Sequence, residues 1–265
     1  MFDYSVTRNQ YGQTNSRDTE TFSDLPVQDE SKLHIYIDDL DYYSGPVTAA
    51  TTNGYTLSGT GATAAIAAVD NGVINIIGAT TGFIATLQRS QGNFKIAAGL
   101  RTWFECLASL STLASSAQLI LGLTNVTATP FTAITDGVWF SSDASGNGVL
   151  SINVAVGSVV TTVALVSPTG AGVNVVAGAT SFGTYKWYWD GGNYAAPNGR
   201  IVWEVSGAGV SANSRGEVAA PANFPGTTLL APQIGVKATA GTPTLALDLV
   251  QVIKDRTNIN STPVF

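Results

Sequence analysis

Short apolar bursts, each broken after a few residues by Gly, Ser, Thr or Asn, run through almost the whole chain and constrain its fold more than any other feature. Bursts of four to eight residues rich in Val, Ile, Thr and aromatics match strands that lie on a pleated surface. Charged residues make up only 11% of the sequence, although apolar residues reach 45%; an ordinary soluble domain carries about 25% charged. A chain with so few ions has little surface that must face water. It also has few groups able to act as acid, base or metal ligand. This composition points to a protein that works by shape and contact, with much of its weakly polar surface meeting other proteins in a large assembly.

The 265 residues suffice for one large β domain with appendages. The net charge of −6 disfavours direct nucleic-acid binding, which relies on Lys and Arg to neutralise phosphates. One cysteine, Cys106, excludes an intrachain disulfide and fits synthesis in a reducing cytoplasm. Within Trp103-Phe104-Glu105-Cys106-Leu107 it reads as a small buried hydrophobe. The opening residues lack a signal-peptide pattern. The longest apolar candidate, residues 64–77, is interrupted by Asp70, Asn71 and Gly72, short of the ~18 residues a membrane helix needs. The expectation is a soluble protein without a membrane partner.

Residues 1–32 differ from the rest. They combine charges with scattered hydrophobes (Phe2, Tyr4, Tyr11, Phe22, Leu25) and show no helical or strand period. Alone, such a segment cannot bury enough to offset its chain entropy. It reads either as an arm that docks onto a partner or as a plain tail. From Leu33 the pattern becomes β, and residues 33–265 read as one β-sandwich domain, with residues 33–92 as a candidate small β subregion. Strands are expected around 33–37, 63–69, 73–77, 83–87, 101–109, 118–123, 137–140, 149–156, 159–166, 185–189, 200–206, 229–236 and 244–253. Asn71-Gly72 and Gly157-Ser158 are turn signals. Residues 207–228, rich in Gly, Asn and Pro, read as a loop or lip, and residues 112–118 as at most one short helical turn. No window supports a full helix. Many short strands at even spacing predict an all-β sandwich or jelly roll.

Chemistry is sparse. His34 is the only histidine, the Gly-x-Ser-x-Gly elbow is missing, and clustered His and Cys for zinc are missing too. His34 therefore reads as a strand or interface residue. A glycosidase would need two carboxylates facing each other across about 5–10 Å; the candidates are Glu105 and Glu204, each near a tryptophan, although alternation puts Glu204 opposite Trp203. Gly59-Thr60-Gly61 has no strand–helix unit around it and carries no nucleotide-binding weight. Asn125-Val126-Thr127 and Asn260-Ser261-Thr262 match glycosylation acceptors but mean little without a secretion signal. Asp136, Asp143 and Asp190 read as turn-capping aspartates rather than calcium ligands. Among the clustered aromatics, alternation sends Trp187 and Trp189 to the core and leaves Tyr188 and Tyr194 as candidate surface contacts for sugars or a protein partner.

Several phrases resemble a group of tailed-bacteriophage virion proteins: Phe94-Lys-Ile-Ala-Ala-Gly-Leu-Arg-Thr-Trp-Phe-Glu105, Leu121-Gly-Leu-Thr124, Thr135-Asp-Gly-Val-Trp-Phe140, Gln233-Ile-Gly-Val-Lys-Ala-Thr-Ala240, Thr244-Leu-Ala-Leu-Asp-Leu-Val250, and Thr7-Arg-Asn with Thr14-Asn-Ser-Arg17. The resemblance covers roughly residues 94–254 and the arm; residues 42–90 and 207–228 lie outside it. It implies a jelly roll similar to the concanavalin A-like lectin and glucanase sandwich. It also implies a capsid decoration (cement) protein on the exterior of the phage head, made in the host cytoplasm, with the major capsid protein and copies of itself, as a homotrimer, for partners. No cofactor, metal or catalytic residue is implied. The arm's anchors on the shell would be Phe2, Tyr4, Arg8, Tyr11, Arg17 and Phe22. Two alternatives stay open: a carbohydrate-binding head or tail-fibre module for host attachment, and a β-glucanase-type glycosidase.

Overall fold

Alternating side chains along each strand need an apolar layer on one side, and the chain provides it by stacking two antiparallel sheets. The computed structural model describes residues 9–10, 13–14, 33–38, 47–48, 51–52, 54–59, 62–66, 72–77, 84–111, 118–127, 129–143, 148–191, 199–237 and 241–256. Among them there is no helix. Among the described residues, strands β1 (Asn9–Gln10) and β2 (Gln13–Thr14) pair only with each other.

The first sheet has nine strands. Its order is β17 (Ser214–Ala219), β16 (Arg200–Gly207), β15 (Gly183–Trp189), β10 (Thr102–Leu110), β19 (Thr244–Asp255), β8 (Ile74–Ile77), β7 (Thr63–Ile66) and β4 (Val47–Thr48), with β3 (Leu33–Asp38) also on β19. The second has eight, in the order β14 (Val159–Ala164), β13 (Leu150–Val156), β12 (Gly137–Ser142), β11 (Gln118–Asn125), β18 (Leu230–Lys237), β9 (Ile84–Arg89), β6 (Tyr55–Ser58) and β5 (Thr51–Thr52). Strands β10 and β11 are consecutive but lie in different sheets, as are β18 and β19. The chain therefore crosses the sandwich repeatedly, as in a jelly roll.

Inward residues from both sheets form one core. Phe104 and Cys106 of β10, Tyr185, Trp187 and Trp189 of β15, Leu121 and Leu123 of β11, and Phe140 of β12 are all buried within it. Phe104 stacks on Trp187 at 5.8 Å, and Phe140 of the second sheet meets Tyr185 of the first at 5.7 Å. Each such side chain contributes about 1.5–3 kcal/mol by leaving water. Strands from the 33–92 region feed both sheets, and Tyr55, Leu57, Ala64, Ile74, Ile76, Ala85 and Leu87 join the same core.

Two devices close the sandwich edge. In β19 the register slips between Leu107/Ala108 of its partner, leaving Asp248 as the extra residue; a bulge bends a strand at such a point. Before the bulge β19 pairs with β8, and after it with β3. Across the gap between sheets, the Tyr36 hydroxyl of β3 donates to Asp38 at 2.9 Å and makes a short hydrogen bond with Tyr55 of β6, and the Arg89 guanidinium of β9 lies 4.4 Å above the Tyr36 ring. Burial, with Asp38 alongside, pushes the Tyr36 hydroxyl up to about 12, so the clasp holds its protons at neutral pH.

The expected strands appear with ends shifted by a few residues. The Gly157-Ser158 turn is a tight hairpin whose φ values, +56° and +72°, match the positive φ such turns need. Among strands of four residues or more, two lie outside the expectation. One is β6. The other is β17, inside the stretch read as a loop. Gly216 lies opposite Trp203, and a Cβ there would come within 2.3 Å of the indole. That glycine makes room for an aromatic ring inside a strand rather than marking a turn. Residues 112–117 and Asn71 lie outside the described residues.

Candidate functional site

The two outer faces of the sandwich differ in chemistry. On the nine-stranded sheet, register aligns Glu105 of β10 with Lys186 of β15, Lys186 with Glu204 of β16, and Glu204 with Arg215 of β17. Charges of alternating sign thus run across four strands. Lys186 Nζ lies 3.3 Å from Glu105. Further along the same strands, Arg200 reaches Glu217 at 2.7 Å and Asp190 at 3.7 Å. Opposite charges placed cross-strand stabilise a sheet modestly, and they leave little unbalanced field.

This arrangement bears directly on the glutamate pair. Glu105 and Glu204 share one face, two strand spacings apart, or about 9.5 Å at the backbone. The strand between them carries Lys186, so its side chain stands where a scissile bond and its water would have to fit.

The same sheet buries Tyr188. It is 3% exposed and packs against Trp103 at 5.1 Å, with Val202, Ile253 and Leu33 beside it. The expectation of a surface Tyr188 is therefore corrected: alternation does turn it away from the sandwich core, as read, but that side holds a second apolar cluster drawn from β3, β10, β15, β16 and β19. Trp187 and Trp189 are in the main core, as expected. Tyr194 and the arm residues Phe2, Tyr4, Arg8, Tyr11, Arg17 and Phe22 lie outside the described residues.

The eight-stranded sheet presents an outer surface over its middle strands whose one ionic side chain among the described residues is Lys237, at the end of β18. Outward residues are Thr86 and Gln88 on β9, Gln233 and Gly235 on β18, Ile120 and Thr124 on β11, Trp139 and Ser141 on β12, and Ser151 and Asn153 on β13. The connection from β11 to β12 folds back over part of it. Asn125 Oδ1 accepts the amides of Thr135 at 2.9 Å and Asp136 at 3.2 Å, and Gln88 Oε1 accepts that of Thr127 at 3.0 Å. These bonds set Phe131 and Ile134 against Ile120, Trp139 and Ala155. Between loop and sheet lies a groove of about 260 Å³, lined by Phe131, Pro130, Trp139, Ser141, Asn153 and Val160 among others. Asn153 is fixed: its Nδ2 donates to Ser141 Oγ at 2.8 Å and its Oδ1 accepts from Thr162 at 2.8 Å. The groove can hold an uncharged ligand by apolar contact and hydrogen bonds.

Sequence reasoning misses this groove. It reads Asn125 only as a glycosylation acceptor, whereas the side chain is a loop clamp. The available signal is Pro130-Phe131, an apolar pair within a Thr- and Ala-rich connection.

The remaining candidates resolve simply. His34 stacks on Phe94 at 4.8 Å; burial first, then Arg256, Lys254 and Arg89, lower its pKa below the usual value. Cys106 is fully buried, and burial, with Glu105 nearby, pushes its thiol well up, away from thiolate chemistry. Asp143 and Asp190 accept the amides of Val149 and Arg200 across the loops that follow them, the turn-capping role expected, whereas Asp136 accepts that of Gly157 in a different hairpin. Among the described residues no three His, Cys, Asp or Glu cluster to hold a metal.

Solved structures with the same architecture place the sandwich. An endo-1,3-β-glucanase from Streptomyces sioyaensis matches at TM-score 0.55 and 11% identity, over 84% of this chain and 97% of its own. Peanut lectin matches at TM-score 0.56 and 9% identity, over 86% and 100%. The fold is the concanavalin A-like jelly roll. A protein of unknown function from Shewanella oneidensis MR-1 shares it at TM-score 0.53 and 14% identity, over 86% and 90%. At these identities the likeness is one of fold alone. No family model and no curated protein matches the sequence.

Proposed function

We propose that the chain is a structural protein of a tailed-phage virion that decorates the outside of the head, bridging major capsid protein subunits. The sequence phrases that resemble such proteins support it, and so does the jelly roll those phrases imply. The observation that carries the reading is the division of the surface. The ionic side chains of the nine-stranded sheet oppose one another in a ladder, and the middle strands of the eight-stranded sheet present only Lys237, at the end of β18. Such a body suits being covered by neighbours better than performing acid–base chemistry, and Lys186 between Glu105 and Glu204 argues for binding rather than hydrolysis. Residues 1–32 supply the shell-binding arm. Linking several arms through self-association raises their effective concentration, so that modest contacts hold.

The test is cosedimentation with purified undecorated heads. The full chain pellets with the shells, and a chain lacking residues 1–32 does not, while its buried tryptophans still emit as in the intact protein. Unchanged pelleting of the truncated chain refutes the arm's role, and failure of the full chain to pellet refutes the reading itself.

A second reading draws on the groove. Aromatic Trp139 and Phe131 beside the fixed amide of Asn153 form a surface that suits an uncharged sugar, which supports a host-attachment module. Saturable glycan binding lost on Asn153→Ala would favour it.

A further inference from the structure

The edge of the eight-stranded sheet combines two unusual features. The first lies in the sequence: residues 144–185 contain no Asp, Glu, Lys, Arg or His. This run builds β13, β14 and the connections that follow, and much of it is exposed. Val159 is 70% exposed, Val160 46% and Val166 49%.

The second lies in the backbone. Among the described residues, strand β14 pairs with β13 and with no other strand. The Leu165 amide donates to Leu150 just beyond the strand. In an antiparallel ladder bonded pairs alternate, so residues 161 and 163 point their amides and carbonyls at β13. Val160, Thr162 and Ala164 point theirs outward. Monomeric proteins blunt such an edge with a charge, a proline or a bulge. Val159-Val-Thr-Thr-Val-Ala164 has none of these.

We propose that β14 is a self-association edge, which pairs antiparallel with β14 of a second copy about a two-fold axis and so continues the eight-stranded sheet across two molecules. Charge selects the occupant. Each chain carries a net charge of −6, so two copies repel unless they meet through an uncharged surface. The 144–185 region is that surface, and two copies meeting there desolvate no ion. Registry also permits it. With the axis at Thr162, that residue faces its own copy and Val160 faces Ala164, all on the outer face, and the outward amides and carbonyls satisfy one another. The flanking β-branched residues suit cross-strand contact. Val160 also lines the groove, so the contact brings the grooves of two copies alongside one axis. It replaces the three-fold association implied by the family resemblance with a two-fold one, and it does not depend on capsid binding.

Light scattering of the full-length chain after size exclusion tests this, together with amide exchange. The expected mass is twice 27.4 kDa, with the Val160, Thr162 and Ala164 amides protected. Thr162→Pro removes an outward amide and leaves the backbone ladder to β13 in place, although it also loses the Thr162 hydroxyl's bond to Asn153, and Val160→Lys puts an ammonium beside Ala164 of the other copy, a charge of the kind that blunts a free edge. Each variant is expected to halve the mass and expose the remaining outward amides, with an unchanged β-sheet circular dichroism spectrum. A single-copy mass for the native chain at tens of micromolar overturns the proposal. So does any larger mass, a three-fold one included, that survives both folded variants.

Discussion

Replacing Tyr188 with alanine separates a structural ring from a ligand-binding one. Tyr188 is turned away from the sandwich core yet is 3% exposed, locked between Trp103, Val202, Ile253 and Leu33. Truncating a buried aromatic costs about 3–5 kcal/mol, through lost transfer energy and the cavity left behind. For a domain of this size 1 kcal/mol moves Tm by roughly 2–4 °C, so Tyr188→Ala should lower Tm by about 10 °C. Tyr188→Phe keeps the ring against Trp103 and should retain most of the stability. Differential scanning calorimetry gives the shift, and a guanidinium titration should show a lower midpoint with unchanged slope. A Tm within about 2 °C of native, with loss of binding to a sugar or a protein, would refute the reasoning and return Tyr188 to the surface.

Protonating His34 should destabilise the fold. Its folded pKa lies below the usual value, so below about pH 6.5 the unfolded chain binds the proton more readily and stability falls as pH drops; urea midpoints between pH 8 and 5.5 should fall less in His34→Phe, which keeps a ring on Phe94. The Cys106 thiol should resist a disulfide reagent in the native state and react stoichiometrically in denaturant, because the ring-packed core must open first. Asn125→Ala leaves the Thr135 and Asp136 amides without their acceptor; it should cost about 1–3 kcal/mol and speed amide exchange at Thr135 and Asp136, with little change in the β10–β15 ladder.

The sandwich is legible because alternation and turn chemistry are local. Trp187 and Trp189 can be assigned to the core from their spacing alone, and Gly157-Ser158 names its own turn. Tyr188 cannot be placed the same way. Alternation separates two faces but does not say that both are covered, and the side chains around Tyr188 come from strands distant in sequence. Gly216 misleads for a related reason, since its small size answers to Trp203 on the neighbouring strand. The groove is hidden because the loop carrying Phe131 is set by Gln88 and Asn125, and Gln88 meets Thr127 across a separation of 39 residues. The charge ladder is equally invisible until register brings Glu105, Lys186, Glu204 and Arg215 into one row.

If the proposed role holds, the chain is a component of virus particles, and counting its copies in purified particles tests that role most directly. Quantitative mass spectrometry should find it at an abundance comparable with the major capsid protein, and stripping it should leave heads that burst at lower temperature. A handful of copies confined to the tail, or its absence from particles together with hydrolysis of a glucan that Glu105→Gln abolishes, would contradict that role.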